Sequence, residues 1–289
     1  MKSGFVSIIG RPNAGKSTLL NALLGEKLAI VSPKVQTTRH RIKGIITEDD
    51  YQVIFSDTPG IIEPKYKLHE KMMYAVRQAI EDTDVAVLLV DINDNLEEAH
   101  AIFTNLRMKA PAIVVVNKTD TANADKKEAV FSFFKAQSYC REVIGISALK
   151  GTQVKELLQA IVKLLPEGMP FFDKDEMTDL PTRFFVAEMI REKVFHLYEE
   201  EIPYHTTVIV TEFKEKATLV KIVADIIVQR ETQKAILLGE KGKMIRQLGT
   251  EARKDIEQFI GQKVFLELFV KVRPKWRDND YMLKEYGYH

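Results

Sequence analysis

The sequence predicts an α/β domain built on a mainly parallel sheet, followed by a smaller α+β domain. Three observations carry that expectation. From residue 4 to about residue 165, short apolar runs alternate with stretches of helical period. A segment rich in proline, glycine and acid interrupts the rhythm between residues 166 and 181. Beyond it the order of elements changes, and 289 residues exceed what one compact core usually holds.

In the first part, residues 5–9, 51–55, 85–90, 113–116 and 143–146 read as strands with helices between them. Such a sheet binds its ligand at the carboxyl ends of its strands. The break around Leu165, Pro166, Gly168, Pro170 and Pro181 reads as a linker, giving domains at 1–168 and 182–289 joined through 169–181. In the second part a helix is expected near 182–199, strands near 207–213, 218–228 and 234–238, a helix over 243–260 and a strand over 264–272.

Composition narrows the classes. Apolar residues make up 45% of the chain, ample for ordinary cores. The longest apolar stretches, 84–92 and 111–116, are too short to cross a bilayer. The early run 5–9 leads straight into Gly10, so it reads as a strand and not a secretory signal. One cysteine, Cys140, excludes an internal disulfide and fits a reducing, cytoplasmic setting. A net charge of +1 argues against a broadly basic nucleic-acid binder. Two basic stretches nevertheless concentrate near the end: Lys241, Lys243, Arg246, Arg253 and Lys254, then Lys271, Arg273, Lys275 and Arg277.

Residues 10–17, Gly-Arg-Pro-Asn-Ala-Gly-Lys-Ser, match the GxxxxGK[ST] phosphate loop, follow a strand and open a helix. Gly10 and Gly15 let the backbone, with Asn13 and Ala14, turn its N–H groups toward phosphates at a helix N-terminus. Lys16 would neutralise the β- and γ-phosphates, Ser17 would ligate Mg²⁺, and Thr18 completes the set. Asp57 ends another strand, where it can hold the metal, and Gly60 can offer its N–H to the γ-phosphate. Asn117, Lys118 and Asp120 end the strand at 116: an amide suits the N7/O6 edge of guanine, and a carboxylate accepts from N1 and N2 protons that adenine does not present. Ser147 and Ala148 then offer a backbone N–H to O6. Each motif alone also fits a plain turn or an Asx-rich loop; four in order point to a guanine nucleotide.

Together with the segment 32–41, Ser-Pro-Lys-Val-Gln-Thr-Thr-Arg-His-Arg, these residues resemble the translation-factor-like small GTPases and, within them, the Era family of bacterial ribosome-assembly GTPases. The resemblance implies that Thr38 is the switch threonine that joins the Mg²⁺ shell when GTP is bound. It also implies that Asn13 can coordinate K⁺ beside the phosphates. Ile61 departs from the glutamine that orients the attacking water in many small GTPases, because isoleucine cannot hydrogen-bond that water. The catalytic group therefore stays unassigned, with Lys16 and Thr38 in support. Slow hydrolysis is expected, and an RNA-binding scaffold that needs GTP only for its shape is the alternative.

Residues 236–245 read as a strand, a GxxG loop of Gly239, Glu240, Lys241 and Gly242, and a helix start at Lys243. In a KH module such a loop clamps a single-stranded RNA backbone; Gly239, Lys241, Gly242, Lys243 and Arg246 are the candidate contacts. Trp276 reads more readily as a packing anchor than as a base-stacking platform. The segment 249–255 and the tail 271–276 extend the resemblance over both domains, with a type II KH fold expected for the second. What the family implies is GTP-controlled binding to the 3′ end of small-subunit ribosomal RNA, in small ribosomal subunit assembly. It further implies a monomer in the cytoplasm that makes peripheral contact with the inner membrane, although no amphipathic anchor stands out in the sequence.

Overall fold

The chain, described over residues 1–289 by a computed structural model, divides by its contacts into two units. The first comprises Met1–Pro64 and Met72–Asp179; the second comprises Lys65–Lys71 and Leu180–His289.

The first unit runs β1 (Lys2–Gly10), α1 (Lys16–Leu24), β2 (Ile42–Thr47), β3 (Tyr51–Asp57), α2 (Lys67–Glu81, whose first turn lies in the second unit), β4 (Val85–Asp91), α3 (Leu96–Asn105), β5 (Ala112–Asn117), α4 (Ala124–Lys135), β6 (Cys140–Gly145) and α5 (Val154–Leu164). The sheet order is β2-β3-β1-β4-β5-β6. Every pairing is parallel except β2 with β3. Strands buried on both faces need unbroken apolar runs, which is why residues 85–90 show no alternation and are wholly buried. β2 is absent from the sequence-based expectation. Its Ile-Lys-Gly-Ile-Ile-Thr is short and mixed, and only hairpin pairing with β3 makes it a strand.

The segment read as a linker lies along the first unit. Gly168 N–H donates to the Met1 carbonyl at 3.0 Å, Gln52 Oε1 accepts from Phe171 and Phe172 N–H, and Ile45 N–H donates to the Met177 carbonyl.

The second unit runs α6 (Thr182–Leu197), α7 (Ile202–His205), β7 (Thr207–Glu215), β8 (Val220–Val228), α8 (Glu231–Leu238), α9 (Lys243–Ile260), β9 (Val264–Val272) and α10 (Asp280–Glu285). β8 pairs antiparallel with β7 and parallel with β9. Alternate residues of β8, Val220, Ile222, Ala224, Ile226 and Val228, are fully buried and share one core with Leu248, Ala252 and Ile256, spaced at helical intervals on α9. Each such large side chain contributes about 1.5–3 kcal/mol by burial.

One sequence expectation is corrected here, and the reading of Trp276 as a packing anchor holds. Residues 234–238, expected as a strand, are the last turns of α8. A short apolar run does not distinguish the two states by itself; Gln233 decides it by accepting from the Arg230 N–H at the helix start. The GxxG loop thus joins two helices. Trp276 is fully buried, donates its indole N–H to the His205 carbonyl at 3.0 Å and packs on Tyr286 and Tyr288, so it offers no base-stacking surface.

Candidate functional site

The carboxyl ends of β1, β3 and β5 are Gly10, Asp57 and Asn117, so the topology brings three motifs to one edge of the first unit's sheet. There a 510 Å³ cavity is lined by Asn13, Gly15, Lys16, Ser17, Thr18, Thr38, Gly60, Asn117, Lys118, Asp120 and Ser147.

Gly15 is required by two constraints at once: its φ of 99° is left-handed, and a Cβ there would meet the Asn117 amide nitrogen at 2.2 Å. As N-cap of α1 it supplies no side chain, and the first turn holds no acid, so the helix N-terminus presents its N–H groups and partial positive charge without a competing anion. Lys16 is buried and donates to the carbonyls of Gly10 at 3.2 Å and Arg11 at 2.9 Å. Burial brings its pKa down to about 8, with Asp57 and Asp94 opposing the shift.

Ser17 Oγ lies 2.6 Å from Asp57 Oδ2 and 2.7 Å from Thr38 Oγ1, and Thr38 Oγ1 reaches the same carboxylate at 3.4 Å. Burial pushes the Asp57 carboxyl up to about 6, against the opposing pull of Lys16 and the two hydroxyls. Its other oxygen, Oδ1, is buried without a partner. An all-oxygen set with one orphaned carboxylate oxygen suits a hard divalent cation such as Mg²⁺.

Asn117 holds loops together: its amide donates to the Ala14 carbonyl at 2.8 Å and accepts from Ala148 N–H at 3.0 Å. The Ala148 N–H, expected to face a guanine oxygen, is thus committed to Asn117. Asp120 stays ionised, because hydrogen bonds first from Ser147 and then from Lys150 hold its carboxyl below the usual range. Lys118 pairs with Asp91 at 2.6 Å and donates to the Asn13 carbonyl at 3.0 Å. The Asn13 side chain donates to the Pro33 carbonyl at 2.8 Å, tying the phosphate loop to the loop that carries Thr38. Ile61 supplies no polar group, and its N–H is used on the Gly10 carbonyl at 3.2 Å. Sequence reasoning missed the exposed Leu149, which lines the cavity beside Ser147. A lone apolar residue in a loop carries no signal of its own.

In the second unit, Gly239 has φ 67° and ψ 178°, a region essentially reserved for glycine, and a Cβ there would meet Met244 at 2.5 Å. Gly242 is the uncapped N-cap of α9, whose first turn holds no acid, and Lys241, Lys243 and Arg246 are exposed around it. A 340 Å³ groove continues from Arg246 along α9 and β9, lined by Ile245, Gly249, Thr250, Arg253 and Phe265. These groove residues were not among the candidates. Gly249, a glycine inside a helix, was the signal available.

Residues 5–118 match the family described as 50S ribosome-binding GTPase, and residues 201–277 match the KH domain. The chain is 45% identical over 290 residues to GTPase Era of Geotalea uraniireducens, covering 99% of this chain and 98% of that one. It is 44% identical over 291 residues to GTPase Era of Caldanaerobacter subterraneus, again with 99% and 98% covered. Among solved structures, a variant of Aquifex aeolicus Era bound to GDP and AlF4⁻ superposes with a TM-score of 0.96 at 40% identity, over 100% of this chain and 99% of that one. Era in complex with MgGDPNP and nucleotides 1506–1542 of 16S ribosomal RNA superposes at 0.95 with 40% identity and the same coverage. Spanning both units at this identity, the chain belongs to the Era family of GTPases.

Proposed function

We propose that this chain binds GTP with Mg²⁺, hydrolyses it slowly, and uses its nucleotide state to govern binding to the 3′ end of small-subunit ribosomal RNA during small ribosomal subunit assembly. The observation that carries the switch is the meeting of Thr38, from a loop, with Ser17 and buried Asp57. A loop held through its own hydroxyl at a metal site changes position when that site is filled or emptied. Mg²⁺, when bound, would offset charge on the phosphates; Ser17, Thr38 and Asp57 would hold it. Lys16 and the N–H groups at the start of α1 hold the β- and γ-phosphates, and Asp120 reads the base.

The RNA reading rests on the exposed lysines around Gly242 and on the ribosomal RNA bound by the related Era. Because Ile61 offers the attacking water no hydrogen bond, hydrolysis is expected to be slow. The reading includes a monomeric, cytoplasmic protein with peripheral membrane contact; no helix is long and apolar enough to cross a membrane.

GTP turnover with and without Mg²⁺, together with filter binding of a ribosomal RNA 3′-end oligonucleotide, tests this function. Phosphate release that never exceeds background while RNA is retained would leave only the scaffold reading. For the base, Asp120→Asn should shift preference toward xanthosine nucleotides by roughly a hundredfold, the worth of a charge-assisted contact of about 3 kcal/mol. Unchanged guanine preference in competition would remove Asp120 as the reader.

A further inference from the structure

We propose that Tyr66 and Lys67 couple the nucleotide site to the RNA-binding domain by fastening the segment after Gly60 onto the C-terminal tail 277–280. This rests on the reading above that nucleotide state governs RNA engagement. The segment Lys65–Lys71 belongs by its contacts to the second unit, although five residues of irregular chain, 61–65, are all that separate Tyr66 from Gly60.

Within the second unit the attachment is specific. The Arg277 guanidinium carbon lies 4.2 Å from the centre of the Tyr66 ring, a cation–π distance. The Lys67 ammonium pairs with Asp280, and the Lys67 N–H donates to Asp278 Oδ1 at 3.4 Å. Arg277 is itself tied inward: Gln229, its amide oriented by the surrounding donors, accepts from Arg277 Nε at 2.7 Å and Nη2 at 3.0 Å. Gln229 also donates its N–H to Gln233 Oε1 at 2.9 Å, at the start of α8, and α8 ends on Gly239. A chain of direct contacts therefore runs from Tyr66 through Arg277 and Gln229 to the helix that presents the GxxG loop.

The other end of the segment is set in the first unit. A Cβ on Gly60 would meet Pro12 at 2.7 Å, so Gly60 rests on the phosphate loop where a γ-phosphate would draw its N–H. Lys67 and Asp280 are exposed, and no single pair of this kind is worth much. The effect belongs to the three contacts acting on one short segment.

The test uses the full chain, a ribosomal RNA 3′-end oligonucleotide, and either GDP or a non-hydrolysable GTP analogue with Mg²⁺. In the unmodified protein the two RNA affinities should differ by roughly fivefold or more, and RNA should change the preference for the GTP analogue over GDP by the same factor. In the double variant Tyr66→Ala, Lys67→Ala the ratio should approach one, with RNA affinity in the GDP state and GDP affinity retained. Lys67→Asp or Asp280→Lys alone should reduce the ratio, and their combination should restore it. These exposed exchanges carry the test should Tyr66→Ala impair folding. A ratio that persists in every variant overturns the coupling and leaves nucleotide-controlled RNA binding standing; a ratio of one in the unmodified protein overturns both.

Discussion

The phosphate loop and the GxxG loop are two versions of one local device placed in different surroundings. Each ends on a left-handed glycine, Gly15 at φ 99° and Gly242 at φ 76°, and each opens a helix with no side-chain cap and no acid in its first turn. Both therefore present N–H groups to an anion. In the first, the lysine is buried and lines a cavity; in the second, the lysines stand in solvent near an open groove. Enclosure strengthens each polar contact and favours one ligand of fixed shape. Exposure leaves a salt-dependent track suited to a backbone that continues past it.

The largest expected effect lies on the enclosed side. Lys16→Ala should weaken GTP binding by roughly a hundredfold, about 3 kcal/mol for a charge-assisted contact out of water. RNA affinity of the nucleotide-free protein should not change. Calorimetric titration of both ligands checks this, and equal losses would break the comparison.

On the exposed side, Gly242→Asp should weaken RNA binding by about 1–2 kcal/mol, roughly five- to thirtyfold, with GTP affinity intact. A Cβ at Gly242 meets no protein atom nearer than Ile245 at 3.9 Å, so the fold leaves room for the side chain, and repulsion of phosphate is the expected cause. Gly242→Asn, which tolerates left-handed backbone, should then keep most of the affinity. If RNA titration shows Gly242→Asp binding as before, the RNA surface lies elsewhere, most plainly the tail 271–277.

Proton competition sharpens the contrast further. With burial holding Asp57 near 6, lowering the pH below that value adds a proton to the carboxylate and removes the charge that Mg²⁺ needs. Mg²⁺ affinity of the GDP complex should fall roughly tenfold per pH unit below about 6 and stay level above it. A profile flat down to pH 5 would place the metal elsewhere. The smallest effect is expected from K⁺. Asn13 commits its amide nitrogen to Pro33, which leaves its oxygen free to take a cation beside the phosphates. A charge there is worth about 1 kcal/mol, roughly fivefold in turnover, and equal rates in sodium and potassium buffers would dismiss it.

Legibility in the sequence follows the range of the forces involved. The buried strands, the phosphate loop, Asp57 and the segment 117–120 were readable because their residue types are dictated by local backbone geometry and by chemistry at a strand end. The strand β2 and the helical state of residues 234–238 were not. The first exists through a partner strand, and the second through a side chain bonded back to its own helix start. The groove along α9 lay hidden because its lining comes from two elements that meet only in the folded chain.

By itself the sequence determined the two-part architecture, the order of the nucleotide motifs and the glycines at which the backbone must turn left-handed, since these depend on neighbours along the chain. The tertiary structure alone decided that Asn117 ties Ala14 to Ala148, that Asp57 keeps an orphaned oxygen, and that Tyr66 and Lys67 join the RNA-binding unit. The physical reason is common to all three. Burial and charge pairing depend on which distant residues arrive at a point, and pattern along the chain does not record that arrival.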